Sequence, residues 1–225
     1  MNMTNDGKGY GLTQYRWPLD YELAGRTLTL RAGERAYQLA FQDKEFVDCG
    51  GVLSQYQALK LDGDTHFAVF GETLAAAVLD LARGTAALKP DGAADWVFCR
   101  IDGFDEGDGT APLPALTGEM AGTHGKWVFG CERFIELEYL PEGRCRCVWS
   151  PRTDRARTWP AQCVKLGEGR YLAEIDGTSP FRTDMPQGFS KLILVQDYDR
   201  LLAVGCIYSP TLNEFQMISG YGMEP

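Results

Sequence analysis

Two alternating segments of the sequence carry carboxylates that would move a proton if they faced the interior of a barrel. In the segment FIELEYL, Glu138 falls on the face opposite Tyr139, and in RYLAEID, Glu174 falls opposite Tyr171, because successive side chains of a strand point to opposite sides. If the apolar faces point inward, both carboxylates are solvated. If the interior is polar, Glu138 or Glu174 is a candidate acid or base.

His66 heads the segment THFAVF and is a third candidate for proton transfer, since histidine titrates near neutral pH. The alternative is an ordinary histidine at the end of a strand. No HxH or HExxH pattern accompanies His66 or His124, so no metal site is predicted. The seven cysteines form no CxxC pair and are expected to be reduced core residues.

The segment RCRCVWSPRTDRARTW (144–159) gathers arginines in an otherwise acidic chain. Arg144 and Arg146 share one strand face, and the cysteines and tryptophan between and after them share the other. This alternation favours the cysteines and the tryptophan as the inward set. Arg155 and Arg157 are therefore the stronger candidates to hold a carboxylate, which a guanidinium binds with two hydrogen bonds. The alternative is a solvated outer face paired with nearby acids.

Aromatic residues on the apolar faces are expected to shape any pocket. Tyr139 and Tyr171 alternate with the carboxylates of their segments, and Trp149 alternates with arginine. Trp127 lies in GKWVF, the first strand-like segment of the second half. We predict that these four side chains wall a pocket for a small organic ligand or substrate.

Composition and missing motifs exclude several classes of function. The chain has 22 basic and 31 acidic residues and a formal charge of −9, which disfavours nucleic acid and anionic membrane surfaces as partners. No apolar run is long enough for a membrane span, and the first residues lack an apolar signal core, so a cytoplasmic protein is expected. No GxGxxG, GxxxxGK[ST] or GxSxG motif occurs; hence no cofactor is expected.

The two halves of the chain contain strand-like segments in the same order. Each half has three apolar segments, then an aromatic-bearing fourth and an apolar hairpin. In the hairpins, Asp80 and Arg83 match Asp197 and Arg200. An aspartate can bond nearby backbone amides and close a tight turn. The chain is therefore predicted to be a duplicated all-β unit.

These observations predict an antiparallel up-and-down β-barrel of eight to ten strands, closed jointly by two repeats of about five strands. Closure of the sheet removes edge strands, and a barrel of this size can hold one small ligand. The expected organisation is an N-terminal extension (1–20) followed by one barrel domain (21–225). Within the barrel domain, the first repeat is expected at about 22–100, a linker at 101–122 and the second repeat at about 123–210.

Residues 73–83 are ambiguous, because TLAAAVLDLAR is rich in alanine and leucine and favours a helix by propensity. The match to the second hairpin favours a strand. The segment LLAVGCIY (201–208) is apolar on both faces, so a homodimer is one way to cover its outer face.

The segments GKWVF, ELEYL, VKLGEGRYLAEIDG and LILVQDYDRLLAVGCIY resemble the MoaF-like proteins. That family has a lipocalin-like (calycin) barrel and a two-part sequence, and the resemblance covers about residues 20–210. It implies a calycin barrel here.

The stretch from GKWVF through VKLGEGRYL is also similar to the phenolic acid decarboxylases, which share the calycin architecture. Those enzymes use tyrosines, an arginine and a glutamate, without a cofactor. Gly130 and Cys131 stand where that family has a tyrosine pair, so this similarity implies a cofactor-free barrel for a small aromatic molecule rather than decarboxylation itself.

Three functions follow from these features. The first is a cofactor-independent lyase, isomerase or cyclase acting on a small aromatic or apolar organic acid. The second is a carrier or sensor of a small hydrophobic ligand, with the same pocket and no turnover. The third is a structural or interaction module, whose interior is filled by its own side chains.

Overall fold

The computed structural model describes residues 2–3, 12–71, 74–104, 111–150, 152–177, 191–209 and 214–223. All regular secondary structure within those ranges is β-strand. The chain divides into two compact units, the first spanning residues 18–115 and the second residues 2–17 and 116–225. Strands β1 (Asn2–Met3) and β10 (Ala115–Leu116) have two residues each.

The first unit is a closed barrel of eight strands, and each strand pairs with the next in the chain. Antiparallel pairing of the last strand with the first closes the barrel. The strands are β2 (Thr27–Ala32), β3 (Arg35–Phe41), β4 (Phe46–Cys49), β5 (Leu53–Asp62), β6 (Thr65–Phe70), β7 (Leu74–Asp80), β8 (Thr85–Pro90) and β9 (Val97–Ile101).

The second unit repeats this arrangement. Its eight antiparallel strands follow one another around a barrel, which closes where the last strand pairs with both its predecessor and the first strand. The strands are β11 (His124–Gly130), β12 (Arg133–Leu140), β13 (Arg144–Trp149), β14 (Arg152–Gly167), β15 (Arg170–Asp176), β16 (Lys191–Asp197), β17 (Leu202–Ser209) and β18 (Glu214–Met223). The short β1 runs parallel to β18.

A strap of chain precedes the first strand of each barrel and closes one end of it. The first strap, residues 20–26, buries Leu23 in the core of the first barrel. The second strap, residues 117–123, buries Met120 in the core of the second barrel. Each strap thus caps the barrel end at which its first strand begins.

Equivalent hydrogen bonds fasten the two straps. The N–H of Gly25 donates to the carbonyl of Phe41, and the N–H of Gly122 to that of Tyr139, both at 2.7 Å. Both glycines have positive φ, 79° and 86°, a conformation that glycine adopts readily. These hydrogen bonds make Gly25 and Gly122 counterparts in the two repeats.

The repeated aspartate closes the same hairpin in both barrels. Asp80 ends the sixth strand of the first barrel, and its Oδ1 accepts a hydrogen bond from the N–H of Arg83 at 3.0 Å. Asp197 ends the sixth strand of the second, and its Oδ1 accepts from the N–H of Arg200 at 2.9 Å. The duplication predicted from this motif is confirmed.

The predicted fold class, an all-β up-and-down barrel built from two repeats, is confirmed. We had expected the two halves to share one barrel, whereas each half closes a barrel of its own. The difference arises because β5, β9, β14 and β18, the fourth and eighth strands of each barrel, were not predicted as strands.

The ambiguous segment at residues 73–83 is resolved in favour of a strand. β7 runs from Leu74 to Asp80, so the helix that alanine and leucine propensity suggested is wrong. Tertiary pairing with β6 and β8 overrides the local preference.

Candidate functional site

The structure places the predicted aromatic residues in the interior of the second barrel. Trp127, Tyr139 and Trp149 are buried in its core, and Tyr171 is partly buried against the same cluster. They alternate along their strands with residues that point outward, as the sequence pattern indicated.

A chain of polar contacts links three of the interior side chains. Gln196 Nε2 donates to the hydroxyl of Tyr139 at 2.6 Å, and the hydroxyl of Tyr198 donates to Gln196 Oε1 at 3.1 Å. The rings of Trp127 and Tyr198 meet edge to face, with centroids 5.4 Å apart. Burial raises the pKa of Tyr139 well above its usual range, so its hydroxyl stays neutral and keeps its proton.

Two indole nitrogens point into the same interior without a partner. Among the described residues, Trp127 Nε1 and Trp149 Nε1 are buried donors with no acceptor. A buried N–H group usually finds a partner, so this barrel interior has unused capacity to donate hydrogen bonds.

The two carboxylates proposed for proton transfer lie on the outer face of the second barrel. Glu138 pairs with Arg146 at 3.0 Å, and both side chains are exposed. Glu174 is buried but also points outward, and its Oε1 pairs with Lys191 Nζ at 2.7 Å. The expectation of a polar interior that either carboxylate faces is therefore not met, because Leu137, Tyr139, Ala173 and Ile175 occupy the inward positions.

Of the two arginines predicted to hold a carboxylate, the structure describes the side chain of Arg157 only. Arg157 is exposed on β14 and pairs with Cys147 across β13 and β14. The side chain of Arg155 lies outside the described residues.

His66 points into the first barrel and belongs to a buried pair. Its Nδ1 donates a hydrogen bond to Oδ2 of Asp20 in the first strap, and the two side chains are 1% and 5% exposed. Beside this pair, Lys60 Nζ lies 2.6 Å from Oε2 of Glu22. A carboxylate that fixes the imidazole in one orientation is a common feature of histidine general bases.

Asp20 is a functional candidate that the sequence did not reveal. Burial raises the pKa of its carboxyl, but the hydrogen bonds from His66 and from the N–H of Glu22 outweigh burial and lower it overall. Asp20 is therefore charged at neutral pH. It lies far from His66 in the sequence and in no motif, so no sequence pattern could have linked them.

The second barrel has a different polar cluster at the position that corresponds to Asp20 and His66. Tyr171 on β15 takes the place of His66 on β6, since each is the second residue of the fifth strand. Its hydroxyl donates to Oε1 of Glu119 in the second strap, and Lys165 Nζ lies 2.8 Å from that atom. The hydrogen bond to Glu119 is the largest cause that raises the pKa of Tyr171 to about 12.

The first barrel has a pocket at the end opposite its strap, which we call the mouth pocket. It has a volume of about 220 Å³. None of the described residues that line it carries a charged side chain; they are Ala36, Tyr37, Gln38, Leu39, Cys49, Gly50 and Pro90. An apolar cavity of about 150 Å³ binds benzene, so the mouth pocket is large enough for a small ring system.

The second barrel has a smaller pocket beneath its strap, which we call the strap cleft. Its volume is about 90 Å³. The inward-facing Tyr139 and Cys163 form its floor, and the other lining residues are Thr117, Gly118, Met120, Ala121, Leu140, Pro141, Glu142, Gly143, Arg144 and Ala161.

Two comparisons with known proteins found no match for this chain. No family model matches the chain, and no curated protein matches it. Among the described residues, no group of three or more histidine, cysteine, aspartate or glutamate side chains is placed to hold a metal ion. None of those residues forms a helix long and apolar enough to cross a membrane.

Proposed function

We propose that this protein binds a small, uncharged and mainly apolar organic molecule in the mouth pocket of the first barrel, without turnover. The observation that carries the proposal is a pocket of about 220 Å³ whose described lining residues carry no charged side chain. Ligand sites of this kind are concave and mostly apolar, with a few polar groups that fix orientation. Here the phenol of Tyr37, on the same strand face as the core residue Leu39, supplies such a group.

The size and lining of the mouth pocket favour a neutral aromatic ligand. A carboxylate placed there would lose part of its hydration and gain no charged partner from the described lining residues, which is unfavourable. A molecule of one or two rings, such as indole, matches the volume. The sequence led us to expect an aromatic or apolar organic acid. The proposed ligand keeps the aromatic or apolar part and lacks the acid group.

A test uses calorimetry and thermal unfolding with indole and with benzoate. Indole should bind and raise Tm, and benzoate should bind more weakly. Cys49→Phe fills the mouth pocket and should abolish indole binding, whereas Cys131→Phe makes the same change at an exposed site in the second unit and should leave binding intact. No indole binding to the native protein, or equal binding to both variants, would contradict the proposal.

A second candidate function is a cofactor-independent lyase or isomerase in the first barrel, in which His66 moves the proton. The orientation of His66 by a charged Asp20 favours it. Against it, the pair is almost inaccessible and lies at the strap end, away from the mouth pocket. Incubation with aromatic acids and detection of products by mass spectrometry tests it: turnover should be lost in His66→Gln and kept in His124→Gln, a change at an exposed histidine.

The two-part sequence and the lipocalin-like barrels support a further proposal, that the chain is a MoaF-like protein. Each repeat corresponds to one barrel.

A further inference from the structure

The two barrels place Tyr56 and Ala161 at the same position. The N–H of Tyr56 donates to the carbonyl of Glu45, and the N–H of Ala161 to that of Gly143, both at 2.8 Å. In both barrels this bond joins the fourth strand to the turn between the second and third strands. The side chain of Tyr56 in the first barrel therefore indicates what could fit beside Ala161 in the second barrel.

In the first barrel, the phenol of Tyr56 fills the space beneath the strap. The side chain is 3% exposed, and its ring packs edge to face on Phe41 with centroids 4.9 Å apart. Its hydroxyl donates to the carbonyl of Asp43 at 2.8 Å. Asp20 and Tyr21 of the first strap lie close enough to contribute, after burial, to a pKa of about 12 for Tyr56.

In the second barrel, the corresponding space is open. Ala161 ends at its Cβ and lines the strap cleft, together with strap residues and the turn after β12. Tyr139 stands where the first barrel has Phe41, since both accept the glycine bond of their strap. The strap cleft is therefore the place that a tyrosine ring occupies in the first barrel.

The residue whose carbonyl accepts the hydroxyl of Tyr56 also has a counterpart in the second barrel. Gln42 and Phe46 are hydrogen-bonded across the turn that contains Asp43, as Leu140 and Arg144 are paired across the turn that contains Pro141. Pro141 is therefore the counterpart of Asp43, and it lines the strap cleft. Backbone carbonyls accept hydrogen bonds whatever their side chain, so Pro141 offers an acceptor at this position. The two turns differ in backbone conformation, because Glu142 and Gly143 have positive φ, 63° and 64°.

We propose that the strap cleft is a binding site for a monocyclic phenol. The ring lies against Tyr139 beside Ala161, and the ligand hydroxyl donates to the carbonyl oxygen of Pro141, as Tyr56 donates to that of Asp43. The cleft, at about 90 Å³, is smaller than the closed cavity of about 150 Å³ that takes benzene. Because it opens to solvent, one ring fits partly enclosed. The site is separate from the mouth pocket.

The test follows the methyl group of Met120, which lines the strap cleft, by NMR of protein labelled with ¹³C-methyl methionine. Phenol should shift the Met120 signal in a saturable way, with a Kd in the millimolar range. The signal of Met217, which is buried in the same unit but does not line the cleft, should not move. Anisole, which has the same ring but no hydroxyl proton, should bind at least threefold more weakly.

Variants of Ala161 and Tyr56, the two corresponding positions, complete the test. Ala161→Tyr rebuilds the arrangement of the first barrel and should abolish the phenol shift at Met120, whereas Ala161→Ser should retain it. Tyr56→Ala opens the equivalent space in the first barrel, so that variant should gain one phenol site over the native protein, and phenol should raise its lowered Tm. If Tyr56→Ala does not fold, the comparison of Ala161→Tyr with Ala161→Ser decides alone.

Three results would overturn the proposal: no saturable shift of Met120 in the native protein, a shift of equal size in Ala161→Tyr, or equal affinity for phenol and anisole. None of these outcomes bears on indole binding at Cys49, so failure here is distinguishable from failure of the mouth-pocket function.

Discussion

Asp20 and His66 form a buried hydrogen-bonded pair that ties the first strap to the fifth strand of the first barrel. The second barrel uses Glu119 and Tyr171 for the same connection. The two repeats have therefore kept the connection between strap and strand while its chemistry has diverged. The first barrel keeps a titratable imidazole at this place, and the second a phenol.

The Asp20 pair predicts a specific loss of stability in acid. Because the pKa of Asp20 is lowered in the folded protein, the charged carboxylate contributes stability above the ordinary value of about 3.9, and that contribution is lost as pH falls through the folded pKa. The groups around it are His66, Lys60, Glu22 and Tyr56. Asp20→Asn removes this contribution.

The measurement is denaturant unfolding of the native protein and Asp20→Asn from pH 2.5 to pH 7. Asp20→Asn should be less stable at pH 5, and the difference in free energy of unfolding should shrink below about pH 4. Asp91→Asn, a change at an exposed aspartate in the turn after β8, should show no such trend. A difference between native protein and Asp20→Asn that stays constant down to pH 2.5 would contradict the assignment.

The repeated hairpin predicts that charge matters at Asp197. Asp197 is buried, and its Oδ2 lies 3.2 Å from Arg170 Nε while its Oδ1 accepts from the N–H of Arg200. Asp197→Asn keeps a side-chain oxygen that can accept the hydrogen bond from the N–H of Arg200, but it loses the negative charge opposite Arg170. We expect the free energy of unfolding to fall by about 2 kcal/mol. Asp199→Asn, at an exposed position in the same turn, should cost less than about 0.5 kcal/mol. Equal effects in urea unfolding would argue against the Arg170 contact.

Cysteine reactivity should follow burial. Burial raises the pKa of Cys99 to about 11, and burial together with Cys145 raises that of Cys163 to about 12, so their thiolates are scarce at neutral pH. Iodoacetamide at pH 8 should alkylate the exposed Cys131 first. Peptide mapping after timed quenching checks the order, and rapid labelling of Cys99 in the folded protein would contradict it.

Indole should protect Cys49 selectively. Cys49 is partly exposed and lines the mouth pocket, so a bound ring would shield its sulfur from iodoacetamide. The rate at Cys131 should not change with indole, which makes that residue the internal control. An unchanged rate at Cys49 in saturating indole would place the ligand elsewhere.

The sequence predicted the strands that alternate clearly and missed those that do not. HGKWVF, FIELEYL and RCRCVW became β11, β12 and β13, because apolar side chains recur there at every second position. By contrast, the segment PRTDRARTW has the proline and polar residues typical of a loop, yet β14 runs through it from Arg152 and includes Pro160. Its neighbouring residues Arg157 and Thr158 are both exposed, so the alternation that indicates a strand is weak there.

The candidate sites were predictable only in part, for a similar reason. Alternation placed Trp127, Tyr139 and Trp149 in an interior. Asp20 and Glu119 were missed because each contacts a strand about fifty residues away, and only closure of the barrel brings the strap there. The mouth pocket depends on the ends of β3, β4 and β8, which meet through strand pairing rather than through any local pattern.

The sheet of the second barrel has no room for a side chain at two glycine positions, Gly205 and Gly220. A Cβ at Gly220 would lie 2.2 Å from the carbonyl oxygen of Val128, and a Cβ at Gly205 would lie 2.1 Å from that of Ile193. Both contacts are to backbone atoms, so no side-chain rotation relieves them, and the strands themselves must separate. Gly220→Ala and Gly205→Ala should therefore each cost about 3 kcal/mol or more. Gly63→Ala is the control, because a Cβ there meets no atom within 4 Å. Urea unfolding should give a large fall in midpoint for the first two variants and a change within about 0.5 kcal/mol for the control, and a stable Gly220→Ala protein would show that β18 does not lie against β11 in this register.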